Sequence, residues 1–137
     1  MNLDKATYAL LTGRSELTTL TSRIYNARAP GGAATPYVVF AQSSAQPLGA
    51  MDGPNALELG EVQIDVYAAT KADALLVAKQ VRLATDGIIA TAGGVVVRGT
   101  MRTGQFAAEP LAPADGSDGP IYRVVVLVSV FFEQAIG

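Results

Sequence analysis

The chain has no cysteine and no histidine. Without cysteine there is no disulfide framework and no thiolate metal site. Without histidine the commonest general base and the commonest metal ligand are missing together, and a Ser-His-Asp or Cys-His site is excluded. Charge is scarce too. Charged residues make up 16% of the 137, below the usual quarter, which suggests that part of the surface is not meant for water. The net charge of −2 supplies no basic footprint for nucleic acid. No apolar run approaches the ~20 residues of a membrane helix. The start, Met1-Asn2-Leu3-Asp4-Lys5, lacks the basic stretch and apolar run of a signal peptide. Synthesis and folding in the cytoplasm, with no membrane partner, are the expectation. The phosphate-cradling glycine motifs and the G-x-S-x-G elbow are absent as well.

What is present is concentrated at the end of the chain. Of the twelve residues from Ile121 to Phe132, six are Val or Ile and three are aromatic, a strand composition. Tyr122, Val124, Val126, Val128, Val130 and Phe132 form one unbroken apolar face. Ile121, Val125, Leu127 and Phe131 make the other largely apolar, interrupted by Arg123 and Ser129. A strand that is apolar on both sides is usually covered on both. A chain of this length can cover one sheet face with its own helices and has little left for the second. Another protein chain on that face is the expectation, and with it an assembly part rather than a solitary enzyme. Seven of the ten basic residues are Arg, the commoner interface residue, although a GC-rich genome gives the same bias.

The length predicts one domain over residues 1–137. Leu3 to Leu11 reads as a short helix stopped by Gly13. Ser15 is the expected N-cap of a helical turn through Leu20. Arg23-Ile24-Tyr25 leads into an Ala-Pro-Gly loop. Strands are predicted at Tyr37–Ser44, Leu57–Ala68, Val95–Thr103 and Ile121–Phe132. The second alternates most cleanly, with Val62, Ile64, Val66 and Ala68 opposing Glu61, Gln63, Asp65 and Tyr67. A helix is predicted over Lys71–Ile88, with Val77, Val81, Ala84 and Ile88 on its core stripe and Leu76 and Leu83 on one flank outside it. Gly93-Gly94 reads as a turn. The two remaining segments, Gln46–Asn55 and Gly104–Pro120, read as long loops. The predicted fold class is therefore α+β, in the order α-β-β-α-β-β. It has one four-stranded antiparallel sheet, order 1-2-4-3 from a right-handed crossover, with helices on one face.

No catalytic, cofactor or metal site emerges. Asp115-Gly116-Ser117-Asp118-Gly119 faintly resembles part of a calcium loop but lacks the terminal bidentate Glu. Arg98 and Arg102 are expected on the same sheet face as Arg123, with Glu61 and Asp65 beside them. A face carrying both signs together with Val125, Leu127 and Phe131 does not attract phosphate. It has the anatomy of a subunit interface, for which Tyr67, Leu76 and Leu83 are further candidates. The other reading is a partly wet outer face held by cross-strand pairs within one chain.

Several words then occur in a familiar order: Leu3-Asp4-Lys5-Ala6 through Leu10-Leu11-Thr12-Gly13, Arg23-Ile24-Tyr25, Pro36-Tyr37-Val38-Val39-Phe40, Val62-Gln63-Ile64-Asp65-Val66-Tyr67-Ala68, and a helix with Ala74 and Val81. Together they span nearly the whole chain. The sequence resembles the tail-completion or tail-terminator family of long-tailed phages, prophages and gene-transfer particles. That resemblance implies a homo-oligomeric ring, a hexamer, at the head-proximal end of the tail tube. It further implies that the ring halts tube polymerisation and docks the head connector, and that DNA passes through its channel without specific binding. The two loops are then candidates for touching the tube protein or the connector, through Met51, Asp52 and Asn55 in the first and Phe106, Asp115 and Asp118 in the second. Plain connection is their other reading. A neighbouring connector or minor tail component, and a small ligand-binding α+β domain, are the alternatives.

Overall fold

A computed structural model describes residues 2–30, 34–47, 57–111 and 121–133. Along the chain run α1 (Asn2–Thr12), α2 (Ser15–Leu20), β1 (Ile24–Asn26), β2 (Tyr37–Pro47), β3 (Leu57–Ala68), α3 (Lys71–Thr85), β4 (Ala90–Ala92), β5 (Val95–Leu111) and β6 (Ile121–Glu133). The strands form one sheet in the order β1-β2-β3-β6-β5-β4. The expected four-stranded antiparallel sheet is thus incorrect: the described residues form six strands, and β1 runs parallel to β2. The two extra strands are edge pieces of three residues each, too short to show any period in sequence. Tertiary pairing makes them. The Arg23 carbonyl accepts the Val38 N–H at 2.9 Å and the Phe40 carbonyl accepts the Ala27 N–H at 2.8 Å, which fixes β1 on β2. β4 pairs with Val95–Val97 through a two-residue turn at Gly93-Gly94. Both turn glycines have positive φ, 57° and 80°, the type I′ geometry that suits a tight hairpin. Gly93 also lies against the α1 backbone, where an added Cβ would stand 2.6 Å from the Lys5 carbonyl.

The helices cover one face of the sheet. The alternating residues Val62, Ile64, Val66 and Ala68 of β3 point into this layer and are buried, as are Val124, Val126, Val128, Val130 and Phe132 of β6. Leu3, Ala6 and Leu11 of α1, Leu17 of α2, and Ala74, Val77, Ala78, Val81 and Ala84 of α3 close the core from above. The spacing of the last five, at three and four residues, puts them on one side of the helix. Thr70 caps α3 by accepting the Asp73 N–H at 3.1 Å. The cap of α2 is Arg14, not Ser15, whose hydroxyl instead donates to Glu16 Oε1 at 2.9 Å. That bond leads the causes that hold the Glu16 carboxyl below the usual carboxylate value, with the Arg14 charge adding to it.

Two boundaries differ from expectation. α3 ends at Thr85, three residues before Ile88. The next residues leave the helix to bond β5: Asp86 Oδ1 accepts the Arg102 N–H, and Thr100 takes the Gly87 and Ile88 N–H groups on its carbonyl and hydroxyl oxygens. β5 continues to Leu111, so the first half of the expected loop Gly104–Pro120 is strand. Its pairing partner is the start of β6, from Leu127 back to Ile121.

Candidate subunit interface

The site begins with pleating. Residues that alternate with the core set on β2, β3 and β6 face away from the helices. Pairing aligns them in rows across the sheet. Tyr37, Tyr67 and Arg123 form one row. Val39, Asp65, Val125 and Phe106 form the next, followed by Ala41, Gln63, Leu127 and Gly104. Further along lie Glu61, Ser129 and Met101, then Leu59, Phe131 and Gly99.

Asp65 is the polar hub. Its Oδ2 pairs with Arg123 Nη2 at 2.9 Å, and Gln63 Nε2 donates to its Oδ1 at 3.0 Å. The Tyr67 hydroxyl donates to Oδ2 at a longer 3.4 Å. The ion pair is partly hidden, with the Arg123 and Asp65 side chains 29% and 13% exposed. The Arg123 guanidinium also lies 5.9 Å from the Tyr67 ring centroid, within range of a cation–π attraction. Tyr67 stacks on Tyr37 at 4.8 Å and 19°, and Tyr25 extends the aromatic row to β1 at 6.3 Å. Burial raises the Tyr67 phenol above its ordinary value, and the Asp65 charge adds to the effect. Burial alone raises Tyr37. At the other end of the face, Arg98 Nη2 and Nε both donate to Glu133 Oε1, at 2.6 and 2.8 Å.

The apolar part lies between these ion pairs. Met101 and Phe106 are 56% and 53% exposed, and Leu127 and Phe131 are half-buried. Val125 is different. Only 1% of it is exposed, although it faces away from the helices. Asp65 on β3 and Phe106 on β5 flank it, and it has almost no surface to offer a partner.

The expected interface residues do not make one patch. Glu61, Asp65, Tyr67, Arg98, Arg123, Val125, Leu127 and Phe131 share the outer sheet face. Arg102 does not. It stands opposite Val128, a core residue, so it points to the helix side. The cause is a register shift between Val97 and Gly99, because one extra residue flips the side chains that follow, until the second shift between Arg102 and Gly104 restores the pleat. Leu76 and Leu83 are exposed on α3, in the helical layer on the other side of the sheet. Phe106 was expected in a loop and belongs to β5, on the outer face. Met51, Asp52, Asn55, Asp115 and Asp118 lie outside the described residues. Among the described residues, no cluster of acidic side chains is suited to a metal ion, and no helix is long and apolar enough to cross a membrane.

Comparison with known proteins decides the family. The family model described as Tail completion protein gp17 matches residues 5–130. The chain belongs to the tail completion protein family. It is thereby a structural component of a phage-type tail. A solved chain from the virion of a native gene transfer agent particle has the same fold, with a TM-score of 0.72 at 21% identity. The alignment covers 97% of this chain and 96% of that one. A search of curated protein sequences finds no match.

Sequence reasoning missed several members of the outer face of this tail completion protein, among them Glu133, one residue past the predicted end of its strand and the ion-pair partner of Arg98. Tyr37 and Gln63 were legible as strand residues, but their roles as stacking partner and Asp65 ligand depend on cross-strand neighbours. Met101 was hidden by the bulge. A signal for it existed in Gly99 and Gly104, since glycine inside a strand often marks a bulge.

Proposed function

We propose that copies of this tail completion protein close into a ring, a hexamer, at the head-proximal end of the tail tube. The ring ends tube polymerisation and joins the tail to the head connector, assembling in the host cytoplasm, and DNA passes through its channel. The observation that carries this reading is the outer sheet face. It combines exposed Met101 and Phe106 with ion-paired Arg123–Asp65 and Arg98–Glu133, and no element of the chain's described residues covers it. Such a core-and-rim mixture is suited to a contact between subunits.

The strand ends support a two-sided adaptor. β2 stops at Pro47 and β3 starts at Leu57, at the end of the sheet where Glu133 closes β6. β5 stops at Leu111 and β6 starts at Ile121, at the opposite end. The β2–β3 and β5–β6 connections therefore attach at opposite ends of the sheet, which suits contact with the tube protein at one end and with the connector at the other. A net charge of −2 suits a channel through which duplex slides, because phosphate neutralisation is what creates non-specific affinity.

Electron microscopy of tail tubes polymerised with and without the purified chain tests the reading. Tubes capped at one end by a ring, and shorter than uncapped tubes, are expected. Tubes of unchanged length with bare ends would contradict termination. A ring found elsewhere on the particle would make the chain another head–tail connector or minor tail component.

A further inference from the structure

We propose that in the assembled ring the helical layer of one copy seats on the outer sheet face of the next. The sheet then has helices on both sides, its own and a neighbour's. This rests on the ring reading above and adds which two surfaces meet.

The first observation is that the exposed leucines of α3 and the exposed Met101 and Phe106 of β5 lie on opposite sides of the sheet, besides Tyr8 and Ile89, which are exposed as well. On the solvent side of α3, Ala72, Leu76, Lys79 and Leu83 recur at helical spacing, and Leu75 stands beside them. Leu75, Leu76 and Leu83 are all substantially exposed, where an amphipathic helix ordinarily presents polar groups. Next to Leu83 lies a shallow depression of about 270 Å³, lined by Leu10, Leu83, Ala84 and Ile88 together with Arg14 and Glu16. The outer sheet face offers projecting groups of matching kind, Phe106 and Met101. The depression is mixed, with Gly13 and Ser15 also on its wall, and its apolar side at Leu10, Leu83 and Ile88 can take an aromatic side chain, a common interface anchor.

Charge and area agree with this pairing. Around the exposed leucines, α3 carries Lys71, Lys79 and Arg82 against Asp73 and Asp86. The sheet face carries Glu61, Asp65 and Glu133 against Arg98 and Arg123. Each surface has an excess of one charge, and the signs are opposite. β3 has 12 residues; at about 3.3 Å per residue and about 4.8 Å between four long strands, the face spans roughly 750 Å². A standard interface takes about 800 Å² per partner.

The sheet edges are the weaker alternative. β2 beyond Phe40 and β5 beyond Val97 have no further strand beside them among the described residues. Both are interrupted by bulges, at Gln42/Ser44 and at Arg102/Gly104 and Ala108/Leu111, which blunt an edge as a pairing template. Unlike faces also suit the assembly. Contact between two different surfaces is heterologous and can close into a ring when the rotation between copies fits, whereas contact between identical faces stops at a dimer.

The absence of native cysteine makes disulfide trapping clean. Protein carrying Leu83→Cys is mixed with protein carrying Leu127→Cys, and likewise Leu76→Cys with Phe131→Cys, under mild oxidation. Ser22→Cys, exposed between α2 and β1, measures random collision. Because a disulfide needs Cα atoms within about 7 Å, mixed helix–sheet dimers in at least one pairing should exceed either homodimer roughly tenfold. Homodimers of the Leu127→Cys or Phe131→Cys protein in excess would mean that sheet faces meet each other, which overturns the helix-on-sheet contact and leaves the sheet-face interface standing. Linking at only the collision level in every mixture overturns the contact. Whether the ring itself survives that result is read separately, from the capped tubes.

Discussion

The two faces of the sheet are built from alternate residues of the same strands, yet they are finished differently. On the helix side of β6, Val124, Val126, Val128, Val130 and Phe132 are closed over by α1, α2 and α3 into a dry core. On the other side, Arg123, Leu127, Ser129 and Phe131 stand partly exposed, with Asp65 and Glu133 holding the arginines in place. The first face is completed by the chain itself. The second is apolar enough to gain from cover, while its arginines are already ion-paired within the chain. The proposed assembly, in which copies fold first and then meet, calls for both properties, and the alternation of one strand supplies them.

That contrast can be broken from either side. The largest expected effect is on the core face. Phe132 is 1% exposed, and Phe132→Ala should cost about 3–5 kcal/mol, read as a lowered midpoint in urea unfolding of the monomer. Next comes the polar hub. Asp65→Asn leaves Arg123 partly buried without its counter-charge and should cost about 1–2 kcal/mol, allowing for the solvent that reaches the pair. The same titration checks it. Leu127→Ser should cost the monomer less than about 1 kcal/mol, because its half-exposed site has room for water, while weakening self-association in sedimentation. A loss as large as that of Phe132→Ala would erase the distinction between the faces.

The smallest effect is in pH. Tyr37 and Tyr67 hold their protons more tightly in the folded state than in the unfolded chain. Their contribution is fully present below the ordinary tyrosine value of about 10 and is lost as pH rises through the raised folded values. Tyr67→Phe should therefore flatten the decline in thermal stability above about pH 10, measured by melting across an alkaline series. An unchanged decline would show that this phenol does not drive it.

The long elements were legible because burial on one side leaves a period. Val62, Ile64 and Val66 mark β3, and Ala74, Val77, Ala78 and Val81 mark the core side of α3. β1 and β4 left no period in three residues each. The second half of β5 was illegible for another reason. Gly104, Ala107, Ala108 and Pro110 read as loop by composition, and only pairing with the start of β6 makes them strand. Placement on the outer face was legible where alternation is unbroken, at Glu61, Asp65, Tyr67, Arg123, Leu127 and Phe131. It failed at Arg102, where a bulge reverses the pleat. The Asp65 network was beyond reach, since it joins Gln63 and Tyr67 on β3 to Arg123 on β6, and register is a property of the folded sheet.

The account depends on the outer face being the surface by which copies hold one another. The most direct measurement is the oligomeric mass of the double variant Leu127→Ser/Phe131→Ser beside that of the native chain, on tubes or at concentrations where the native chain is assembled. A folded variant found only as monomer is the predicted result. A variant that keeps the native assembled mass would contradict it and place the contact elsewhere.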